Sequence, residues 1–221
     1  IQKGGAFGGE VSSFISAVRV WDRADRVVRD LSDEQCEFGY RTSALKRFVD
    51  RFVVLDVTYD LPLDESPAVA YRQLADHLGV QVGDAVDGVR VRDAVLALRR
   101  SKGMVLDDAD RDTWSVGSFF VNPVVPADVA ASLPEKCPTF EADGGVKVSA
   151  AWLIENSGVE RGYSLPESGA RVSTKHSLAI SNAGQASSDD VVALARDIRA
   201  RVVDRYGIEL EPEPRLIGLA L

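Results

Sequence analysis

Three stretches of this chain place residue types where they could manage a developing negative charge. In VGSFFVNP, residues 116–123, a small hydroxyl at Ser118 stands against two aromatic rings and an Asn-Pro turn. A hydroxyl is a feeble acid, so it donates a proton only to a strong base such as a carbanion or enolate, and only in a dehydrated, preorganised site. Gly117 permits a tight approach there, Phe119 and Phe120 exclude water, and Asn122-Pro123 sets the exit. In FGYRTSALK, residues 38–46, Tyr40, Arg41, Ser43 and Lys46 come together, and Arg41 could offer its planar fork to a carboxylate. In LEPEPRLIG, residues 210–218, flanking prolines stiffen the backbone around Glu213, and in an extended chain Arg215 points to the same side. Each stretch also has a plainer account: a strand ending at a turn, an exposed loop, and a Pro-rich edge strand with a solvated ion pair. Lys102 in RRSK and Lys147 in DGGVKVS flank helices, where lysines are usually solvated, but both could hold phosphate or sugar oxygens.

Composition narrows the classes. Lys plus Arg number 26 against 34 Asp plus Glu, a net charge of −8, which argues against non-specific nucleic-acid binding because that runs on phosphate neutralisation. Any anionic ligand must therefore meet locally clustered cations. Two distant cysteines, Cys36 and Cys137, and two histidines, His77 and His176, offer no metal-ligand spacing and fit a reducing compartment. No apolar run reaches the length of a membrane span and no signal-peptide pattern opens the chain, so a cytoplasmic location is expected. The 221 residues suffice for one large domain or two ordinary ones, and the start, IQKGGAFGGEV, reads as cut from something longer.

Certain elements must position these residues. GGAFGG predicts a loop of close approach or positive φ. VSSFISAVRVW and RVVRDL around DRAD predict a hairpin, and Ser32 with Gln35 three residues on predicts a capped helical turn. FVVLDVTYDL, 52–61, reads as a strand ended by Pro62. Val91, Ala94, Val95 and Leu98 share one face of a helix that ends near Arg100, before Gly103. Short helices are expected at PADVAASL and SAAWLIENSG. A long one starts at Ser187 or Ser188, buries Val191, Leu194, Ala195, Ile198 and Val202, and stops at Gly207. The prolines of the last segment keep it extended. The first part, about 1–80, is β-rich and the rest is mixed. Nucleotide-loop, hydrolase-elbow and metalloprotease motifs are absent.

Taken in order, IQKGGAFGGEV, CEFGYRTSALK, RRSKG, VGSFFVNPVV, EADGGVKVSAAWLIENSG, NAGQASSDDVVALARDI and LEPEPRLIG span the whole chain. That succession resembles the MurB family, the flavin-dependent UDP-N-acetylenolpyruvoylglucosamine reductases of bacterial cell-wall synthesis. GSFF-x-NP and LEPE-x-R are the most specific of the matching motifs. The resemblance implies an α+β fold. Residues 1–85 would be the C-terminal part of an FAD-binding domain of the PCMH/VAO type, and 86–207 a mixed α/β substrate-binding domain. Residues 208–221 would form a terminal strand returning to the flavin domain. The family's earlier glycine-rich segment, which cradles the FAD pyrophosphate, is not in the sequence, so an N-terminal FAD-binding portion is expected to be lacking. Lys3 and Gly4 depart from the family's usual residues after Gln2, and Leu45 stands where an aromatic is common.

The implied activity is NADPH-dependent, FAD-mediated reduction of UDP-N-acetylglucosamine enolpyruvate to UDP-N-acetylmuramate, by a monomer with no nucleic-acid or membrane partner. By resemblance Arg41 polarises the substrate carboxylate, Glu213 stabilises the enolate-like intermediate and Ser118 delivers the proton. Gln2, Gly5, Ala6 and Arg215 would wall the flavin. Tyr71, Arg99, Lys102, Asn122 and Lys147 would contact substrate, and no metal is called for. The alternatives are a related FAD-linked oxidoreductase of another substrate and a UDP-sugar-binding fragment without flavin.

Overall fold

A computed structural model describes residues 5–63 and 66–221. They form two compact units, Ile1–Leu98 and Arg99–Leu221.

Unit 1 opens with β1 (Gly5–Ala6) and β2 (Gly9–Glu10), an antiparallel pair. Phe7 and Gly8 have φ of 54° and 90°, so the expected GGAFGG loop is a two-residue hairpin with both central residues left-handed. After a 3₁₀ turn at Val11–Phe14 come β3 (Ile15–Asp22) and β4 (Val27–Leu31), the hairpin expected around DRAD. Its turn is held by Asp22, whose carboxylate is fully buried and accepts from Arg51 and from the Ala24 and Asp25 N–H groups. The Arg51 guanidinium holds the Asp22 carboxyl below the usual carboxylate range, although burial opposes it. The capping box of Ser32 and Gln35 starts α1 (Asp33–Cys36), followed by α2 (Ala44–Arg47) and by β5 (Phe52–Tyr59), which completes the sheet order β4-β3-β5.

Next come α3 (Arg72–Leu78), which sequence reading did not assign, and α4 (Gly88–Ser101). The signal for α3 was present: Leu74 and Leu78 at i, i+4, and Gly79, which ends the helix in the left-handed conformation with φ of 71°. Ala94 and Leu98 of α4 share a core with Val69, Leu74 and Val86, and this packing explains why the unit boundary falls after Leu98 and not at the expected 85/86.

Unit 2 contains β6 (Ser115–Ser118), β7 (Val124–Val125), α5 (Ala127–Ala131), β8 (Thr139–Ala142), β9 (Gly145–Val148), α6 (Ala150–Glu155), β10 (Ala170–Val172), β11 (Ala179–Asn182) and α7 (Ser188–Tyr206). Two antiparallel three-stranded sheets run β10-β11-β6 and β7-β9-β8. Leu194, Ala195, Ile198 and Val202 of α7 are buried with Val172, Leu153 and Phe120 in one core, as the helical spacing requires. Ser187 caps α7 and Gly207 ends it, both as expected. The architecture is α+β. Residues 208–221, expected as a strand of the flavin domain, group with unit 2: Ile208 and Leu210 lie in its core and Pro212 bridges to Phe120. Burying Ile208 and Leu210 there is worth a few kcal/mol, roughly 1.5–3 per side chain, which ties the start of the segment to unit 2. No helix among the described residues is long and apolar enough to cross a membrane.

Close backbone approach is required at Gly169, where a Cβ would stand 2.5 Å from the Ala186 nitrogen. Gly169→Ala is expected to destabilise unit 2 by about 1–3 kcal/mol, read as a lowered denaturant midpoint at unchanged slope.

Candidate active site

The candidate residues of unit 1 rest on two tight turns. A Cβ at Gly8 would lie 2.8 Å from the Cβ of Ala70, so the hairpin tip presses on the residue before Tyr71. The ring of Phe7 meets Tyr71 edge-on, with centroids 5.6 Å apart. The hairpin that carries Gly5 and Ala6 and the partly exposed Tyr71 are thus brought together, whereas Gln2 lies outside the described residues. The second turn is Gly39-Tyr40-Arg41-Thr42, closed by reciprocal backbone hydrogen bonds of 3.1 and 3.0 Å between Gly39 and Thr42. Arg41 occupies its third position with φ of 54°, as in a type II turn, where a side chain costs energy and glycine is the usual choice. The Lys46 ammonium donates to the Arg41 carbonyl at 2.9 Å, and the buried Ser43 caps α2, which holds Lys46. An arginine kept in a strained position by its own neighbours is what distinguishes this stretch from an ordinary exposed loop.

In unit 2 the candidates gather around a β-bulge. β6 pairs with β11 through Ser115↔Ser181 and Ser118↔Ala179, so three residues on β6 span what two span on β11. Gly117, with φ of 81°, is the extra residue's hinge. A Cβ there would meet nothing within 4 Å, so its glycine serves conformation and not the close approach expected from sequence. Because paired residues share a face, the bulge keeps Ser118 on the face that holds Ser115, Ser181 and Arg171. The opposite face, with Val172 and Ile180, enters the core. Phe119 and Phe120, whose rings are 5.0 Å apart at 70°, are also core residues, so they anchor Ser118 from behind instead of standing as a free dry wall.

Glu213 reaches this segment through the main chain. Its N–H donates to the Phe119 carbonyl at 2.8 Å, and the Val121 N–H donates to the Glu211 carbonyl at 3.0 Å. Glu213 is partly buried and Arg215 exposed, and the chain bends at Glu213 and Pro214, so the same-side relation expected of an extended segment does not hold.

The remaining candidates divide. The Asn122 amide oxygen accepts from the Ala150 N–H at 2.9 Å, fixing the start of α6, so half of that side chain is committed to the fold. Lys147 lies on β9 across from Phe140, its ammonium 5.7 Å from the ring centroid. A hollow beside the β8–β9 hairpin is lined by Thr139, Phe140, Glu141 and Val146 among others, and none of the candidate residues lines it. Arg99 is exposed in the last turn of α4, where its carbonyl accepts from Met104 N–H, and Gly103 N–H donates to Arg100, a left-handed helix stop. Lys102 follows. Burial first, then the positive charges of Lys102 and Arg161, hold His176 below the ordinary histidine range. His176 belongs to the turn whose Leu178 carbonyl accepts from the Phe119 N–H at 2.7 Å. Sequence reading missed Asp112, a carboxylate 4% exposed, because nothing in DDADRDTW marks which acid is buried. Among the described residues no group of three or more His, Cys, Asp or Glu side chains could hold a metal ion.

Residues 108–217 match the family model of the UDP-N-acetylenolpyruvoylglucosamine reductase C-terminal domain. The whole chain aligns at 51% identity with 59% of a UDP-N-acetylenolpyruvoylglucosamine reductase from Cutibacterium acnes, and at 50% with 63% of one from Mycobacterium avium. The chain belongs to the UDP-N-acetylenolpyruvoylglucosamine reductase family. It spans about three-fifths of the length of these curated relatives. The fold is similar to a crystal structure of the reductase from Thermus caldophilus, with TM-score 0.55 and 22% identity over 96% of this chain and 56% of that one. Ser118, Asn122, Lys147, Glu213 and Arg215 fall inside the reductase family's C-terminal domain. Arg41 and Tyr71 precede it, within the part aligned to the longer relatives.

The strain at Arg41 can be read directly. Relief of the left-handed conformation should leave Arg41→Gly about 1 kcal/mol more stable than Arg41→Ala, measured by chemical denaturation of the two variants side by side.

Proposed function

We propose that this chain is the substrate-binding and proton-delivering portion of a UDP-N-acetylenolpyruvoylglucosamine reductase, forming UDP-N-acetylmuramate in the cytoplasm for peptidoglycan precursor synthesis. The observation that carries this reading is the backbone pairing of 119–121 with 211–213, which sets Ser118 beside the Glu213 segment. The residues present fit one edge of a flavin. The Gly5–Glu10 hairpin exposes bare main chain at Gly5, Gly8 and Gly9, and its strands approach so closely that a Cβ at Gly5 would stand 2.7 Å from the Gly9 carbonyl oxygen. Gly5 and Ala6 would meet the ring there, and by family resemblance Gln2 and Arg215 would also contact the flavin. When bound and reduced by NADPH, the flavin would supply hydride chemistry for the enolpyruvyl ether.

The protein's share is to stabilise charge and move one proton. Negative charge grows on the ether's carboxylate-bearing carbon and on the carboxylate itself. Arg41 meets that carboxylate with a planar, bidentate cation, and its strained turn fixes the direction of approach. Ser118 gives its hydroxyl proton to that carbon, and the bulge at Gly117 holds it on one face for that purpose. Glu213 assists from the neighbouring segment, its backbone fixed by the bond to Phe119. Tyr71, Arg99, Lys102, Asn122 and Lys147 supply the contacts to the nucleotide sugar; in an anionic protein the lysines provide the local charge that phosphates need. The enzyme acts as a monomer in this reading.

In the whole enzyme, Ser118→Ala should leave flavin reduction by NADPH within about twofold and slow reoxidation by the enolpyruvyl substrate by roughly 10²–10⁴-fold. Stopped-flow absorbance separates the two half-reactions, and equal losses in both would refute the proton-donor role. A whole protein that stays colourless with added FAD would leave only the sugar-binding alternative.

A further inference from the structure

The bulge that presents Ser118 also interrupts the ladder beside it. β6 is four residues long, pairs with β11 alone within its sheet, and carries one residue too many for its partner. Between the Ser115↔Ser181 and Ser118↔Ala179 pairs the regular ladder is broken, so contacts from outside the two strands can add to what holds their register.

Asp112 is placed to do this. It lies in the 3₁₀ turn Arg111–Thr113, immediately before β6. Its carboxylate accepts from the Thr174 N–H at 3.0 Å, from the Thr174 hydroxyl, and from Arg171 at 3.3 Å. Its main-chain carbonyl accepts from the Ser181 hydroxyl at 3.1 Å. Thr174 and Ser181 stand on either side of Ala179, the partner of Ser118, and between them Leu178 takes the Phe119 N–H. Arg171 and Ser181 lie in the same cross-strand row as Ser115. One buried residue therefore ties down both ends of the segment that Ser118 is registered against, and also the neighbouring strand. Asp110, two residues earlier, pairs with Lys175 and accepts from the Asp112 N–H, so it braces the same turn from its start.

We propose that Asp112 is a positioning residue for Ser118: it clamps the 174–181 segment so that the bulged β6–β11 pair holds a single register. Its effect on catalysis rests on the reductase reading above; its effect on register does not. Burial opposes the charge on Asp112, and the Thr174 donors and Arg171 outweigh it, so the carboxyl lies below the usual range and stays ionised at neutral pH.

The test uses the whole flavoenzyme carrying Asp112→Asn, with Thr174→Val as a milder second variant should the first fail to fold, and Asp204→Asn, exposed on α7, as a control. Amide hydrogen exchange is followed at Phe119 and Asn182, and the two flavin half-reactions by stopped flow. The clamp predicts exchange at both amides accelerated about tenfold or more. Reoxidation by the enolpyruvyl substrate should slow at least about tenfold, as a misplacement on the order of 1 Å would produce, with NADPH reduction within about twofold. The control should match wild type in all three. Unchanged exchange in both clamp variants, or equal slowing of both half-reactions, would overturn the proposal. A wild-type enzyme that the substrate fails to reoxidise counts against the reductase reading instead, and the exchange measurement then still decides the clamp.

Discussion

Two backbone hydrogen bonds join segments ninety residues apart in sequence, and the unit-2 site exists because of them. Glu213 N–H to the Phe119 carbonyl and Val121 N–H to the Glu211 carbonyl pull the last segment onto the exit of β6. Leu210 on one side and Phe120 on the other are buried in the same core, so hydrophobic burial drives the closure and the hydrogen bonds set its register. Pro212 and Pro214 leave the segment few other conformations, which lowers the entropy lost on docking.

Within each unit the chain places backbone conformations that ordinary elements avoid. Gly117 takes a left-handed conformation to make a bulge, and Arg41 takes one without the relief of being glycine. Each is held by a neighbour: Arg41 through Lys46 and the Gly39–Thr42 pair, Ser118 through the segment fixed by Asp112. Strain persists only where surrounding contacts over-determine it, and of the three residues whose types suit enolate chemistry it falls at Arg41.

Much of the scaffold was legible in the sequence because it is local. The Ser32–Gln35 capping box, the start of α7 at Ser187, its stop at Gly207, and the apolar stripe of α4 follow from hydrogen bonds and spacings within a few residues. Of the short strands, β6 was legible as the plainer account of VGSFFVNP, a strand ending at a turn, whereas β7 to β11, of two to four residues, were not. A run that short has no period to detect, and its partners come from distant parts of the chain. The division after Leu98 was hidden for a similar reason, since only packing shows that α4 shares a core with α3.

The order of GYR, GSFF and LEPE by itself pointed to the family, and that resemblance nominated Arg41, Ser118 and Glu213, because short motifs in fixed order are legible without knowing where they meet. Tertiary structure alone decided what each neighbour does. It made Gly117 a bulge and not a close approach, committed part of Asn122 to the start of α6, bent the chain between Glu213 and Arg215, and buried Asp112 as a clamp. Those outcomes depend on register and burial, which arise from contacts between segments far apart in sequence.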